Sequence, residues 1–259
     1  MLVLINRFFY AFGFNISAFY YSIRGLPIFI KNYFLLQKQL HKSKDFSVKK
    51  IFPVLGEHLM ESGTMRGHYF YQDFLVAQKI YINKPDKHID IGSRIDGFVA
   101  HVAVFREIEI FDIRVQSSKL SNVKFTMCDL MNKQAIMNDY CDSISALHSI
   151  EHFGLGRYGD SIDINGHIKA LDNIYHILKT GGKFYFSTPI GNQRIEYNAH
   201  RVFSLNYLIN IFSDKYKIIS FSYVNDNGLL IQDADLNITN INSNFDCKYG
   251  CGIFELLKV

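Results

Sequence analysis

Short apolar runs alternate with amphipathic stretches over residues 74–259, and this pattern predicts an α/β fold. We expect strands at residues 88–91, 107–112, 122–130, 143–147, 183–188, 216–224 and 252–259. Helices are predicted at residues 74–80, 97–105, 167–178 and 205–212, with Gly181 and Gly182 closing the third of them. The alternation of strands and helices predicts a doubly wound, mostly parallel seven-stranded sheet.

The turn after the first strand is the stretch around which the rest of the chain is organised. Its sequence, Asp90-Ile-Gly92-Ser-Arg-Ile-Asp-Gly97, brings two glycines between the strand and the next helix. Glycine permits a positive φ and lets a ligand approach the backbone closely. In open α/β sheets, ligands bind outside the carboxyl ends of the strands, so we expect the functional site at this edge.

Aromatic residues crowd the first 36 positions, where basic residues and Gly13, Gly25 and Pro27 interrupt them. No run of about 20 uninterrupted apolar residues occurs there, so a membrane-spanning helix is not expected. One interpretation is a peripheral segment whose aromatic face contacts a membrane surface. The other is a set of helices that packs on the main domain or on a second copy of the chain in a homodimer. Either way, residues 1–50 are predicted to be a basic, aromatic-rich helical extension ahead of a domain at residues 51–259.

Charge is distributed unevenly along the chain. Residues 1–50 carry +7, whereas the whole chain carries +4, so residues 51–259 carry −3. A mildly acidic main domain argues against a nucleic-acid groove.

Four cysteines in 259 residues are too few for a disulfide scaffold. No signal peptide is evident, which predicts a cytoplasmic protein, at the inner face of the membrane if the front end is interfacial.

With these elements, the chain resembles the class I S-adenosylmethionine-dependent methyltransferases. The likeness lies in Asp90-Ile-Gly92, Asp112, Asp129-Leu130, Leu147-His-Ser-Ile-Glu-His152, Leu178-Lys-Thr-Gly-Gly-Lys-Phe-Tyr-Phe-Ser187 and Asn198-Ala-His-Arg-Val-Phe-Ser204. Through residues 67–73, 88–98 and 151–160 the chain is similar, more narrowly, to an uncharacterised methyltransferase-like family associated with surface-polysaccharide gene clusters. The resemblance implies a Rossmann-like methyltransferase fold with S-adenosyl-L-methionine as the cofactor.

The cofactor is a sulfonium cation that carries an adenosine and an amino acid, so its pocket needs several kinds of group. We expect Gly92 to let the methionine end approach and Asp112 to accept hydrogen bonds from the ribose hydroxyls. Asp129 and the Leu130 N–H are expected at the adenine, and residues 57–73 are a candidate lid. The expected cofactor-binding residues are His68, Tyr69, Asp90, Gly92, Asp112, Asp129, Leu130, His148 and Ser149. Alternatively, the two later acids cap helices, and residues 57–73 form a surface loop.

Methyl transfer to a hydroxyl is an in-line displacement, which a general base assists by removing the proton. His152 is the first candidate base, because histidine titrates near neutrality and this one follows the fourth strand. His148 and His200 are the alternative bases. The Glu151-His152 pair could instead have a structural role.

The candidate substrate contacts are Arg157, Tyr158, Asp160 and Arg201. Arginine pairs with a carboxylate or a phosphate, and tyrosine offers a flat face to a sugar ring, which suits an acidic or nucleotide-linked sugar. Alternatively, Arg-Tyr-Gly-Asp forms an internally satisfied turn.

These features favour O-methylation of a sugar or sugar nucleotide, a small-molecule or glycan substrate, in surface-glycan biosynthesis. One alternative is a non-catalytic S-adenosylmethionine-binding module, because Ser-Arg-Ile-Asp lengthens the glycine turn. A nicotinamide-dependent oxidoreductase is less favoured, since the G-x-G-x-x-G fingerprint is missing. No metal is expected, because Cys247 and Cys251 lack a second ligand pair, and His148 and His152 do not form a His-Glu-x-x-His motif.

Overall fold

The computed structural model describes residues 8–41, 46–132 and 137–259. Four contributors to the charge of the front end, Arg7, Lys42, Lys44 and Asp45, lie outside the described residues. The chain divides into two compact units, Met1–Thr64 and Met65–Val259. All seven predicted strands and every candidate site residue fall in the second unit.

One long helix, α1 (Ile16–Leu40), dominates the first unit. Asn15 caps its start, because the Asn15 side-chain oxygen accepts a hydrogen bond from the Ala18 N–H at 3.0 Å. A Cβ on the buried Gly25 would lie 1.3 Å from the Leu55 carbonyl oxygen, so the later segment packs against α1 only because glycine is there. Among the described helices, none is both long and apolar enough to span a membrane.

The second unit is an α/β arrangement around one mostly parallel sheet. Its helices are α2 (His68–Asn83), α3 (Ala100–Ala103), α4 (Gly166–Ile177), α5 (Leu205–Phe212) and α6 (Ile238–Ser243). Its strands are β1 (His88–Ile91), β2 (Ile108–Asp112), β3 (Val123–Met127), β4 (Cys141–Leu147), β5 (Leu178–Ile190), β6 (Arg194–Glu196), β7 (His200–Val202), β8 (Tyr216–Val224), β9 (Leu230–Ile231) and β10 (Gly250–Lys258).

The main sheet runs in the order β3-β2-β1-β4-β5-β10-β8-β9, while β6 and β7 pair separately. Strands β1 to β5 are parallel to one another, and β10 joins β5 and β8 in antiparallel register. The predicted doubly wound, mostly parallel sheet is therefore confirmed, and the two-residue β9 extends its edge beyond the seven predicted strands.

Both faces of the sheet are covered, which explains why the central strands β1 and β4 are buried at nearly every position, polar residues included, rather than at alternate positions. On one face Ile89 and Ile91 belong to a core with side chains of α4 and α5. On the other, Ile108 and Ile110 pack with side chains of α2 and α3. The buried polar residue that begins β1, His88, is satisfied there, since its ring nitrogens contact the Ser143 and Ser145 hydroxyls at 2.8 and 3.1 Å.

The glycine pair at residues 181–182 does not end a helix, contrary to the prediction. Helix α4 ends at Ile177, because Leu178 is already extended and begins β5. Gly181 instead lies in the irregular part of the β4–β5 pairing, where its positive φ of 78° suits a bulge. β5 also continues past Pro189 to Ile190.

The helix predicted at residues 97–105 is shorter than expected. A π-helical turn at Ile95–Val99 follows the glycine turn, and the α-helix α3 begins only after it. Gly97 lies within this turn, and a Cβ there would lie 2.4 Å from the Asp73 carboxylate. The second glycine of the turn therefore lets α2 pack closely against it.

Candidate functional site

A cavity opens at the carboxyl edge of β1, β2 and β4, where the strand order reverses between β1 and β4. The space between its lining residues, counted together with the part open to solvent, is about 560 Å³. The predicted residues that line this inner cavity are Gly92, Asp112, Asp129, Leu130, His148, Ser149, His152, Tyr158 and Asp160. An adjoining outer depression shares several of them and adds Tyr69, Arg94 and Arg157. Residues from four separate loops thus meet in one place.

Gly92 forms the floor of the turn that follows β1. Its φ is +63°, and its N–H donates to the Phe111 carbonyl oxygen at 3.1 Å, which holds the turn against β2. A Cβ at this position would come no closer than 3.6 Å to Ser149 and 3.8 Å to Asp112. The backbone therefore leaves an open cradle beside both of these residues.

Asp90 is fully buried and does not line the cavity. Its carboxylate accepts hydrogen bonds from the Ser93 N–H and hydroxyl, at 2.9 and 2.6 Å, and from the Ser145 hydroxyl at 2.6 Å. Burial raises the pKa of Asp90 to about 6, although the hydrogen bonds from both serines oppose this shift. Asp90 thus stabilises the glycine turn through Ser93 and does not face the cavity.

Asp112, at the end of β2, is paired with Arg114, which is not among the predicted site residues. The Arg114 guanidinium donates to both carboxylate oxygens, at 3.0 and 2.7 Å, and the Arg114 N–H donates at 2.8 Å. The guanidinium also lies 4.4 Å from the centre of the Tyr158 ring. Arg114 therefore links the acid of β2 to the loop after β4 across the mouth of the cavity. An Asp-x-Arg spacing directly after a strand is the signal that could have indicated it.

Asp129 and Leu130 lie at the other end of the inner cavity, beyond β3. The Asp129 side chain accepts a hydrogen bond from the Met131 N–H at 2.9 Å, so it stabilises its own turn. Leu130 is buried, and Phe111 and Met131 line the same part of the wall. The combination of apolar walls with one carboxylate suits a flat heteroaromatic ring.

His152 lines both the inner cavity and the outer depression. Its Nδ1 lies 2.7 Å from the Ala199 carbonyl oxygen, which can only accept, so Nδ1 carries the proton and Nε2 has the free lone pair. Burial lowers the pKa of His152, against the attraction of the nearby Glu151 carboxylate. The imidazole is therefore held neutral, in the tautomer that a proton acceptor needs.

His148 follows β4 directly, with a left-handed φ of +49°. Its Nδ1 lies 2.7 Å from the Glu151 carboxylate, and both side chains are buried. The ring stacks on His68 at 5.2 Å and contacts Tyr69 at 5.0 Å between centroids. These two residues begin α2, so the segment expected to form a lid contributes a helix start to the site.

Three of the remaining predicted residues, Arg157, Asp160 and Arg201, hold the loop after β4 in shape. Asp160 accepts hydrogen bonds from the backbone N–H groups of residues 154, 156 and 158, which is the internally satisfied turn considered above. Arg201 is buried, and its guanidinium donates to the carbonyl oxygens of residues 151, 153 and 164. Arg157 donates to the Ala199 carbonyl oxygen at 3.1 Å, and His200 lies 3.7 Å from the Glu196 carboxylate. Arg201 and His200 do not line the inner cavity.

Several solved structures share this fold. Burkholderia thailandensis 1,6-didemethyltoxoflavin-N1-methyltransferase, with 1,6-didemethyltoxoflavin and S-adenosylhomocysteine bound, is 10% identical over 73% of this chain and 78% of its own, with a TM-score of 0.50. Geranyl diphosphate methyltransferase in complex with S-adenosylmethionine is 10% identical over 71% and 85%, also at 0.50. The [4+2]-cyclase SpnF is 12% identical over 73% and 80%, again at 0.50. At such identities the likeness establishes the fold, and the cyclase shows that one fold hosts different reactions.

A search of curated proteins finds no match. A family model does match, over residues 100–247, which is more than half of the 259-residue chain. Its span runs from α3 through the loop after β4 to the residues just before β10, so it covers most of the cavity wall. The chain therefore belongs to the DUF268 family, described as "Caenorhabditis protein of unknown function".

Proposed function

We propose that this chain is an S-adenosylmethionine-dependent methyltransferase. The observation that carries the proposal is the convergence of Gly92, Asp112 and Asp129 on one cavity at the carboxyl edge of the sheet. They come from the ends of three neighbouring parallel strands, and they offer an open backbone cradle, a ribose acceptor and an acid beside an apolar slot. The fold shared with methyltransferases that hold the same cofactor supports this reading.

The Gly92 backbone and the Ser149 hydroxyl fit the methionine end of S-adenosylmethionine. The Gly92 backbone leaves open space, and among the described residues none hydrogen-bonds the buried Ser149 hydroxyl beside it. Asp112 accepts from the ribose hydroxyls in this proposal, and it must then exchange part of its pairing with Arg114 for those contacts. Arg114, so released, stays close to the Tyr158 ring.

His152 is the proposed general base. When bound, the cofactor supplies a methyl group that is open to in-line attack. His152 Nε2 would take the proton of the acceptor hydroxyl as that oxygen is methylated. The Ala199 carbonyl oxygen holds the opposite nitrogen protonated, at 2.7 Å, so the accepting lone pair is ready before the acceptor arrives.

The proposed acceptor is a hydroxyl of a sugar or a sugar nucleotide used in surface-glycan assembly. Two features of the outer depression favour it, namely the Tyr158 ring and the neighbouring guanidinium groups of Arg114 and Arg157. An aromatic face suits a sugar ring, and guanidinium groups suit a phosphate or a carboxylate. Contact of residues 1–36 with a membrane surface, and a homodimer, stay predictions of the sequence.

Calorimetric titration with S-adenosylhomocysteine tests the cofactor part of the proposal. Asp112→Asn should weaken binding at least tenfold, because hydrogen bonds to a charged acceptor contribute about 1.5–3 kcal/mol. The matched control is Glu107→Gln, just before the opposite end of β2, where the side chain pairs with Lys124 at the surface. Wild-type protein that does not bind the nucleoside would contradict the proposal.

Turnover separates the enzyme from a non-catalytic binding module. Protein, S-adenosylmethionine and a panel of sugar nucleotides should release S-adenosylhomocysteine, and His152→Asn should lower the rate while leaving cofactor affinity within about threefold. Binding without turnover on any sugar would retain the cofactor assignment and refute the acceptor class.

A further inference from the structure

A second constellation of reactive side chains adjoins the cavity, where β4, α2 and β10 meet. His148 follows β4, His68 begins α2, and Cys251 lies near the start of β10. One nitrogen of each histidine and the Cys251 sulfur all lie within 4.8 Å of one another. We propose that these three residues form a binding site for a zinc-class transition-metal ion.

The His148 ring is arranged as a metal ligand usually is. Its Nδ1 lies 2.7 Å from a Glu151 carboxylate oxygen, and among the described residues none hydrogen-bonds the opposite nitrogen, Nε2, although it is buried. A histidine that binds a metal through one nitrogen commonly donates its other N–H to a carboxylate, which fixes the tautomer and the ring. A buried nitrogen without a partner is unfavourable unless something fills the space before it.

The other two ligands approach the same point from different elements. Cys251 is fully buried, and its sulfur interacts with the His148 side chain and has long contacts, at 3.8 Å, to the Gln72 side chain and the Gly252 carbonyl oxygen. His68 is half-buried and sandwiched between the rings of His148 and Tyr249, at 5.2 and 5.3 Å. Each donor is thus close to the shared point, and the interaction of Cys251 with His148 already directs two of them at each other.

The donor set determines which metal fits. Two imidazole nitrogens and one thiolate suit zinc and its spectroscopic substitute cobalt(II), whereas magnesium and calcium prefer oxygen ligands. Bond lengths of about 2.0–2.3 Å put donors on one tetrahedral ion roughly 3.5 Å apart, so binding would draw these three inward by about 1 Å. Rotation of the half-buried His68 at the start of α2 allows that movement. Binding would release the Cys251 thiol proton to solvent, and the fourth position would hold water or a ligand oxygen.

The three ligands are 80 and 103 residues apart along the chain, which is why the sequence predicts no metal. Only the sheet order brings them together, since β10 inserts beside β5 and presents Cys251 at the carboxyl edge. The site does not depend on the proposed methyltransferase activity. His148 is nevertheless shared with the inner cavity, so an ion here would lie next to any ligand bound there.

The test uses metal-stripped full-length protein titrated with Co²⁺ and, in competition with a chromophoric chelator, with Zn²⁺. Wild-type protein should bind one equivalent of either ion, and Co²⁺ should produce the near-ultraviolet charge-transfer band of a thiolate ligand. Cys251→Ser should abolish that band. Cys141→Ser is the matched control, because this buried cysteine lies at the opposite end of β4 and should leave the band unchanged.

A second variant keeps the test decisive if Cys251→Ser fails to fold. His68→Gln changes a half-buried residue and should require at least tenfold more metal, while retaining the thiolate band at saturation. The inference would be overturned by wild-type protein that binds no stoichiometric Zn²⁺ or Co²⁺, or by either ligand variant binding both ions as wild type does. Titration of S-adenosylhomocysteine on the same samples reports on the proposed cofactor site separately.

Discussion

Substitution of Gly92 by alanine should separate ligand affinity from stability. The residue has φ +63°, a conformation that disfavours other L-residues by about 1–2 kcal/mol. The added methyl itself fits, since the closest atoms, on Ser149 and Asp112, are 3.6 and 3.8 Å away. The free energy of unfolding should therefore fall by only about 1–2 kcal/mol. The same methyl fills the cradle, so affinity for S-adenosylhomocysteine should fall at least tenfold, about 1.4 kcal/mol or more.

Calorimetry for affinity and chemical denaturation for stability measure the two effects on one sample. Gly181→Ala is the matched control, because its φ is +78° and no atom lies within 4 Å of its added Cβ. It lies toward the other end of the sheet, in the β4–β5 irregularity, so it should lose similar stability and no affinity. If Gly92→Ala binds the nucleoside as tightly as wild type, or if Gly181→Ala weakens binding equally, the ligand does not contact the Gly92 backbone.

Two further predictions concern the scaffold. Burial lowers the pKa of His88 to about 3, whereas the pKa of histidine in the unfolded chain is near 6.5. As the pH falls below about 6.5, the unfolded chain therefore binds a proton that the folded chain does not. The free energy of unfolding should decrease by up to ~1.4 kcal/mol per pH unit until about pH 3. His88→Gln should lack this component when denaturation curves at pH 7 and pH 5 are compared, and an unchanged difference would refute the assignment. Arg201→Lys removes the guanidinium that donates to three backbone carbonyl oxygens. It should lower the free energy of unfolding by about 2 kcal/mol and Tm by about 4–8 °C. An unchanged Tm would show that the guanidinium is dispensable.

The strands that the sequence predicts best are those whose apolar runs end sharply. β1 and β8, and helix α5, have the predicted bounds, because Gly92 follows β1, Asn225 follows β8 and Ser204 caps the start of α5. The short strands β6, β7 and β9 have no such signal, since two or three residues cannot show a period. Gly181-Gly182 was predicted to end a helix but lies in a strand irregularity, so a glycine pair indicates a change of backbone direction without indicating which element contains it.

The position of the candidate site was predictable, but the state of its side chains was not. Residues after strand ends must meet at one edge of a parallel sheet, so the convergence of Gly92, Asp112 and Asp129 follows from strand order. Whether a carboxylate is free depends on neighbours elsewhere in the chain. The Asp90 carboxylate is satisfied partly by Ser145, 55 residues away, and the Asp112 carboxylate by Arg114, two residues on, whose side-chain conformation the sequence does not fix.

The insertion of β10 between β5 and β8 constrains the order in which this domain can fold. β8 precedes β10 in the chain, yet within the described sheet it pairs with β10 and β9 and not with β5. The hairpin of β8 and β9 therefore has no partner on the growing sheet until residues 250–258 are available. A ribosome-bound chain stalled before residue 250 would expose two unpaired sheet edges, which makes it a natural substrate for chaperones that recognise such edges.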